Sequence, residues 1–157
     1  MHLFQYPKSI FEMKLTSIKN TLFYKEVLFE LNYPFGNYFI FNGFIIAEIN
    51  EDVVYSWDKH GKLVAEHVYR LLEGDTAHTF YLTNRINRYS VKPTDWLKFF
   101  RFGYNIAGYG VISYTEKGFA NALLEKLFIK KPMKRFKSLE TAIDWVKTFD
   151  SVKTNAS

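Results

Sequence analysis

The amino-acid sequence predicts an α/β fold on the border with α+β, built on a mixed β-sheet of about five to six strands that helices cover. Two observations lead to this prediction. The turn signals Pro34–Asn37 and Asn42–Gly43 lie between apolar, aromatic segments, which indicates an amino-terminal meander of antiparallel strands. After Ser56, helical and strand-like patterns alternate, as is typical of parallel strand pairs joined by covering helices.

The meander is predicted to contain three strands. Lys25–Tyr33 alternates between apolar and polar positions, and Tyr38–Phe41 and Phe44–Ile49 flank Asn42–Gly43. This dipeptide favours a type I′ turn, which needs a positive φ at both central residues. Because the middle strand is apolar on both faces, the face away from the core needs a cover. Residues 1–20, predicted as an amino-terminal arm, or a second copy of the chain would supply it, and we favour the homodimer.

The rest of the domain is predicted from helix caps and short apolar strands. In chain order it contains a helix capped by Ser56 and ended at Gly74, the strand Thr79–Leu82, a helix from Pro93 to Gly103, the strand Ile106–Tyr114, the helix Glu116–Phe128, the strand Met133–Phe136 and a helix capped by Ser138. The apolar positions expected to point inward from the helix Glu116–Phe128 are Phe119, Leu123, Leu124 and Leu127. Residues 21–149 thus form one predicted domain, and residues 150–157 a polar tail.

The composition excludes several kinds of site. The sequence has no cysteine, which rules out disulfides, thiolate nucleophiles and cysteine-based zinc sites and agrees with a reducing compartment. The net charge of +5 permits an anionic partner without requiring one. No segment approaches the roughly 18 apolar residues of a membrane span, and residues 1–20 lack the apolar core of a signal peptide. We therefore expect a cytoplasmic protein that does not span a membrane.

A polar loop over Thr83–Lys92 is the candidate functional surface, because sites in open α/β sheets form where strands end. The residues predicted to bind a partner or an anion are Asn84, Arg85, Asn87, Arg88, Tyr89 and Ser90. Arginine suits this role because its guanidinium binds carboxylates and phosphates through two hydrogen bonds. The alternative is a solvated loop in which the asparagines bond to the backbone and Arg85 pairs with a nearby acid.

Thr94 begins the next predicted helix, where its hydroxyl is expected to act as the N-cap. The less favoured interpretation makes it a phosphoacceptor, since helix starts attract phosphate.

Other polar clusters have structural interpretations that we prefer. The basic segment Lys126–Lys137 would attract nucleic acid or an anionic lipid surface, but a helix carboxyl terminus also favours cations, so nucleic-acid binding is not favoured. His60 and His67 lie on one side of a predicted helix without a third ligand, so no metal site is expected. The sequence contains no nucleotide-binding or nucleophile motif. We predict no catalytic residue, no cofactor and no enzymatic activity.

Four segments carry a resemblance to a known family. They are the strand Phe44–Ile49 before the helix at Ser56, the strand Phe80–Leu82, the strand Tyr109–Ser113 and the ending Arg135–Val146. They resemble the STAS domain family in its SpoIIAA-like branch, over roughly residues 37–147 of the chain. The resemblance implies a SpoIIAA-like sheet with covering helices. It also implies a non-enzymatic role, since members of this family bind or regulate partner proteins and some relatives hold lipids or other apolar ligands.

The resemblance and the polar loop together lead to the predicted function. In one branch of the family, a serine beside an aspartate is phosphorylated at the start of a helix, where this chain has Thr94-Asp95. We expect a cytoplasmic, non-catalytic regulatory or protein-interaction domain of STAS/SpoIIAA-like type, with a protein partner of unknown identity. The alternative is a binder or carrier of an apolar or lipid-like small ligand, because a core of large rings leaves gaps more readily than one of Leu and Val.

Overall fold

A mixed six-stranded sheet forms the centre of the computed structural model, which describes residues 15–156 and the side chains of residues 15–149. The strands and α-helices of the described residues are β1 (Phe29–Tyr33), β2 (Gly36–Phe41), β3 (Phe44–Ile49), β4 (Val54–Tyr55), α1 (Lys62–Leu71), β5 (Phe80–Asn84), β6 (Ser90–Val91), α2 (Asp95–Arg101), β7 (Gly108–Ile112), α3 (Glu116–Lys126), β8 (Met133–Phe136) and α4 (Leu139–Ala156). Short 3₁₀ helices, Ile18–Asn20 and Leu22–Glu26, precede β1, and a π-helical turn, Trp57–Gly61, leads into α1.

The sheet has the strand order β1-β2-β3-β5-β7-β8. The first three strands are antiparallel, and β3, β5, β7 and β8 are parallel. This arrangement confirms the predicted fold class, an α/β domain with an amino-terminal meander. The short strands β4 and β6 pair in parallel as a separate two-stranded sheet.

Local geometry corrects two predictions in the meander. The first strand begins at Phe29 rather than at Lys25, because residues 22–26 form a 3₁₀ helix. At the hairpin turn only Gly43 has a positive φ, 87°, so the turn is not type I′. The hairpin itself is confirmed, since Phe41 and Phe44 are paired on either side of the turn.

Both faces of β2 are covered within the chain. Tyr38 and Ile40 pack in one cluster with α1, and Phe39 and Phe41 pack in another with α4 and Ile18 of the predicted arm. The four β2 side chains are at most 3% exposed. The homodimer was favoured because one face of β2 was expected to lack a cover, and that reason no longer applies. The homodimer itself remains a prediction. The first fourteen residues of the predicted arm lie outside the described residues.

Helix α3 faces the sheet with a different side from the one predicted. Leu123, Leu124 and Leu127 are 48%, 52% and 75% exposed, whereas Ala122 and Glu125 are buried. The expected inward orientation of these leucines is therefore wrong. Glu125 points inward, where it accepts hydrogen bonds from Arg85, Trp96 and Tyr109.

The carboxyl-terminal part agrees with its predicted caps and packing. The hydroxyl oxygen of Ser138 accepts a hydrogen bond from the amide of Thr141, at 3.2 Å, and so caps α4. Helix α4 continues to Ala156, through most of the expected polar tail.

Gly108 and Gly110 let β7 approach its neighbours closely, since a Cβ on Gly110 would lie 2.5 Å from Leu82 Cδ2.

The two faces of the sheet bury different side chains. Helix α4 covers the face that carries Phe80, Leu82 and Ile112. Helices α1, α2 and α3 cover the opposite face, to which β5 and β7 contribute Tyr81 and Tyr109. The candidate functional site lies on this second face.

Candidate functional site: an aromatic pocket

A pocket of about 130 Å³ lies between the sheet and helices α1, α2 and α3. Its walls are mainly aromatic and aliphatic side chains, and its polar groups come from a few residues. Concave apolar sites with a few convergent polar groups are the usual form of small-molecule sites. The pocket is therefore the strongest candidate site in the described part of the chain.

Six tyrosines line the pocket, namely Tyr38, Tyr55, Tyr81, Tyr89, Tyr104 and Tyr109. The hydroxyls of Tyr38 and Tyr55 are hydrogen-bonded to each other at 2.7 Å. The rings of Tyr81 and Tyr109 stack, with their centroids 5.6 Å apart. Burial raises the pKa of Tyr38, Tyr81 and Tyr109 well above the ordinary value, and it also raises the pKa of Tyr55 and Tyr89. These phenols are therefore neutral at physiological pH and act as hydrogen-bond donors or acceptors.

One wall of the pocket contains a buried ion pair. Arg85 Nη2 lies 2.5 Å from Glu125 Oε2, and the two side chains are only 12% and 2% exposed. Arg85 Nη2 also donates to the hydroxyl oxygen of Tyr109 at 2.9 Å. The other carboxylate oxygen of Glu125 accepts from Tyr109 at 2.8 Å and from the Trp96 indole N–H at 3.0 Å. Both oxygens of this carboxylate are thus engaged, which opposes a role for Glu125 as a general base.

Two buried N–H groups of the pocket residues have no hydrogen-bond partner. They are Arg85 Nε and the indole nitrogen of Trp57. Asp95 also lines the pocket, where its Oδ2 accepts from the backbone amide of Trp57 at 2.7 Å. Its other oxygen lies 3.8 Å from Lys98 Nζ. This Oδ1 atom and the hydroxyl oxygen of Thr83, which also lines the pocket, are likewise buried without a hydrogen-bond partner. The pocket residues therefore include two unsatisfied N–H donors, one unsatisfied hydroxyl and one carboxylate oxygen whose nearest cation is Lys98.

The two-stranded sheet lies at the side of the pocket. Tyr55 of β4 is paired with Val91 of β6, and both residues line the pocket. The Arg85 guanidinium lies over the Tyr89 ring, 5.5 Å from its centroid. The segment after β5 therefore folds over the pocket rather than extending away from the sheet.

The six predicted site residues lie in four different environments. Arg85 and Tyr89 line the pocket, and Arg88 and Ser90 are exposed. Asn87 Nδ2 donates to the carbonyl oxygen of Ile49 at 3.0 Å. These contacts do not bring the six residues together on one surface, and the pairing of Arg85 with an acid matches the alternative interpretation of the loop.

Asn84 belongs to a second buried cluster, on the α4 face. Its Nδ2 donates to Glu48 Oε2 at 2.7 Å, and its Oδ1 accepts from the hydroxyl of Tyr114 at 2.7 Å. Glu48 also accepts from the hydroxyl of Ser17 at 2.6 Å and from the amide of Ile18 at 2.8 Å. This cluster holds the segment before β1 against the sheet.

Thr94 is exposed, and its hydroxyl makes no capping hydrogen bond. The predicted N-cap role is therefore wrong, because Thr94 already has helical dihedral angles, with φ −65° and ψ −16°. Its role as a phosphoacceptor remains a prediction.

Other candidate residues have separate partners. His60 Nδ1 accepts from the amide of Ser56 at 3.0 Å, and His67 Nδ1 is hydrogen-bonded to the Tyr33 hydroxyl at 2.8 Å. Among residues 15–149, whose side chains the structure describes, no cluster of His, Asp or Glu is arranged to hold a metal ion. Lys126 lies in the last turn of α3, as expected of a cation at a helix end.

Sequence reasoning missed Glu125 and Trp57 as pocket residues. A buried arginine needs an acidic partner. Glu125, three positions after the small residue Ala122 and so on the same side of the helix, is the residue that would have identified the buried face of α3. The sequence predicts Trp57 at the start of a helix, but its unpartnered indole nitrogen follows only from the three-dimensional packing.

No family model, curated protein or solved structure matches the chain. The resemblance to STAS domains therefore remains a prediction. In the part of the chain that the structure describes, every helix is too short or too polar to cross a bilayer.

Proposed function

We propose that the protein is a non-catalytic binding domain that holds a small, mostly apolar ligand in the aromatic pocket. The observation that carries this proposal is the pocket itself, about 130 Å³ lined by aromatic rings between the sheet and three helices. An apolar cavity of about 150 Å³ holds a benzene molecule, so the pocket has the size of a single-ring compound. The lack of cysteine supports a cytoplasmic location as part of the same proposal.

Binding of a protein partner through the loop after β5 has less support. Asn84 is 1% exposed and Arg85 is paired with Glu125, so neither side chain offers its polar atoms to a large partner. Arg88 and Ser90 are exposed, but two such residues do not form a recognition surface of the usual size. The contacts therefore favour the small-ligand function over the STAS-type interaction that the sequence ranked first.

A non-catalytic role is part of the proposal because both oxygens of the buried Glu125 carboxylate are already hydrogen-bonded within the protein. Glu125 accepts hydrogen bonds from Arg85, Tyr109 and Trp96. The pocket tyrosines have raised pKa values because they are buried, so they do not supply phenolate nucleophiles near neutral pH.

The proposal is tested with two neutral single-ring probes, ethylbenzene and acetophenone, by ligand-observed NMR on the full chain. Both should bind, and Ala65→Phe should abolish binding, because Ala65 lines the pocket and the new ring would fill it. Leu63→Phe is the matched control, since Leu63 lies on the same helix, is 50% exposed and does not line the pocket. Circular dichroism verifies that both variants fold.

Absence of binding by both probes would contradict the proposal. Equal binding by wild type and a folded Ala65→Phe variant would also contradict it, because the probes would then occupy another place.

A further inference from the structure

The unsatisfied donors of the pocket indicate what its ligand must offer. A buried N–H without a partner loses its hydration and gains no compensating bond, so natural proteins leave few of them. Arg85 Nε and Trp57 Nε1 are two such groups, and both residues line the same pocket. Two oxygens of pocket residues, Thr83 Oγ1 and Asp95 Oδ1, also lack a hydrogen-bond partner, but the Asp95 oxygen has Lys98 Nζ at 3.8 Å. A ligand that carries an acceptor oxygen would supply the missing partner.

The charges of the pocket favour a neutral ligand. The charged side chains that line it are Arg85, Lys92, Asp95 and Glu125, whose formal charges cancel. The positive charge of Arg85 is already compensated by Glu125 at 2.5 Å. An anionic ligand at Arg85 would lie close to the Glu125 carboxylate, and like charges at short range in a buried site are strongly unfavourable.

The walls of the pocket favour a flat ring. The Trp96 ring lies edge-on to Tyr109, with centroids 4.9 Å apart, and Tyr81 stacks on Tyr109. Further rings come from Trp57 and Phe99, whose centroids are 6.0 Å apart. Aromatic rings bind one another in stacked and edge-to-face arrangements, so a planar ligand matches these walls.

We infer that the ligand is a neutral, flat, single-ring compound that bears a hydrogen-bond acceptor of the carbonyl type. Arg85 Nε and Trp57 Nε1 are the groups that donate hydrogen bonds to this acceptor. This inference rests on the proposed function and specifies its ligand class.

Three probes of similar size separate the features of this ligand class. Acetophenone is neutral and has a carbonyl oxygen, ethylbenzene has the ring without an acceptor, and benzoate has the acceptor with a negative charge. Titrations of the full chain by NMR or calorimetry should give the highest affinity for acetophenone. We expect ethylbenzene to bind about tenfold more weakly for the loss of one hydrogen bond, and benzoate more weakly still.

Two conservative variants test the named donors. Arg85→Lys keeps a cation opposite Glu125 but removes Nε, and Trp57→Phe keeps an aromatic ring but removes the indole N–H. At least one of them should weaken acetophenone binding about tenfold while ethylbenzene binding is retained. The matched controls are Arg135→Lys and Trp145→Phe, because these residues lie outside the pocket and Arg135 Nε is likewise buried without a partner. They should leave the binding of both probes unchanged.

The outcomes distinguish the inference from the proposed function. If ethylbenzene and acetophenone bind equally, or if benzoate binds as tightly as acetophenone, the ligand class is wrong while the pocket remains a binding site. The donor assignment is overturned if both folded variants bind acetophenone like the wild type. If no neutral probe binds, the proposed function fails, and the inference fails with it.

Discussion

Removal of the Glu125 carboxylate should cost far more stability than removal of an exposed acid. In the Glu125→Ala variant, Arg85 keeps its charge in a site where it is only 12% exposed, and the donors Tyr109 and Trp96 lose their acceptor. Breaking a buried ion pair by removing one partner costs about 3–5 kcal/mol, because the remaining charge is uncompensated. We expect this loss in the free energy of unfolding.

Guanidinium unfolding followed by circular dichroism measures this loss. Asp58→Ala is the control, because Asp58 pairs with Lys98 at 3.2 Å but the two side chains are 74% and 37% exposed. Such exposed pairs contribute about 0–1 kcal/mol. The variant Arg85→Met combined with Glu125→Leu should lose less stability than the sum of the two single changes, since the double variant leaves no unpaired charge. A loss for Glu125→Ala as small as that for Asp58→Ala would refute the buried pairing.

Two further predictions concern the sheet and the pocket tyrosines. Gly110→Ala should lower the free energy of unfolding by about 1–3 kcal/mol, because the new Cβ would lie 2.5 Å from Leu82 Cδ2; an unchanged thermal midpoint would contradict this close packing. Burial raises the pKa of Tyr38, Tyr81 and Tyr109, so the folded state holds these protons more tightly than the unfolded state. The resulting stability is complete below about pH 10 and falls as the pH rises above it, which denaturant titrations at several alkaline pH values will show; constant stability across that range would contradict the burial of these phenols.

The fold class could be predicted because its signals are local. The alternation of apolar residues, the Asn42–Gly43 turn and the caps at Ser56 and Ser138 each depend on neighbours within a few positions. The predicted type I′ turn did not form, because only Gly43, and not Asn42, has a positive φ.

The site could be predicted only in part, because side-chain directions depend on distant partners. The predicted strand ended at Leu82, but β5 continues to Asn84, which places Asn84 on the α4 face and lets Arg85 enter the pocket. The hydrophobic pattern of α3 places its leucines, rather than Glu125, on the predicted buried face. The buried side of α3 is nevertheless the side of Glu125, because Glu125 pairs with Arg85. This partner lies forty positions away in the sequence, where no local pattern reveals it.

Among the described residues, the buried acids Glu48 and Glu125 differ in how fully the protein satisfies the polar groups around them. That difference separates a structural cluster from the proposed binding site. Around Glu48, the donors come from Ser17, Ile18 and Asn84, and Asn84 in turn accepts from a tyrosine, so the cluster is closed within the protein. Around Glu125, both carboxylate oxygens are occupied, yet Arg85 retains an unpartnered N–H beside about 130 Å³ of space. A closed polar cluster stabilises the fold and offers nothing to a ligand. A polar cluster with an unpartnered N–H beside a cavity lowers the stability of the fold until a ligand supplies the missing hydrogen bond. This loss of stability is the physical reason to look for function on the face of the sheet that helices α1, α2 and α3 cover.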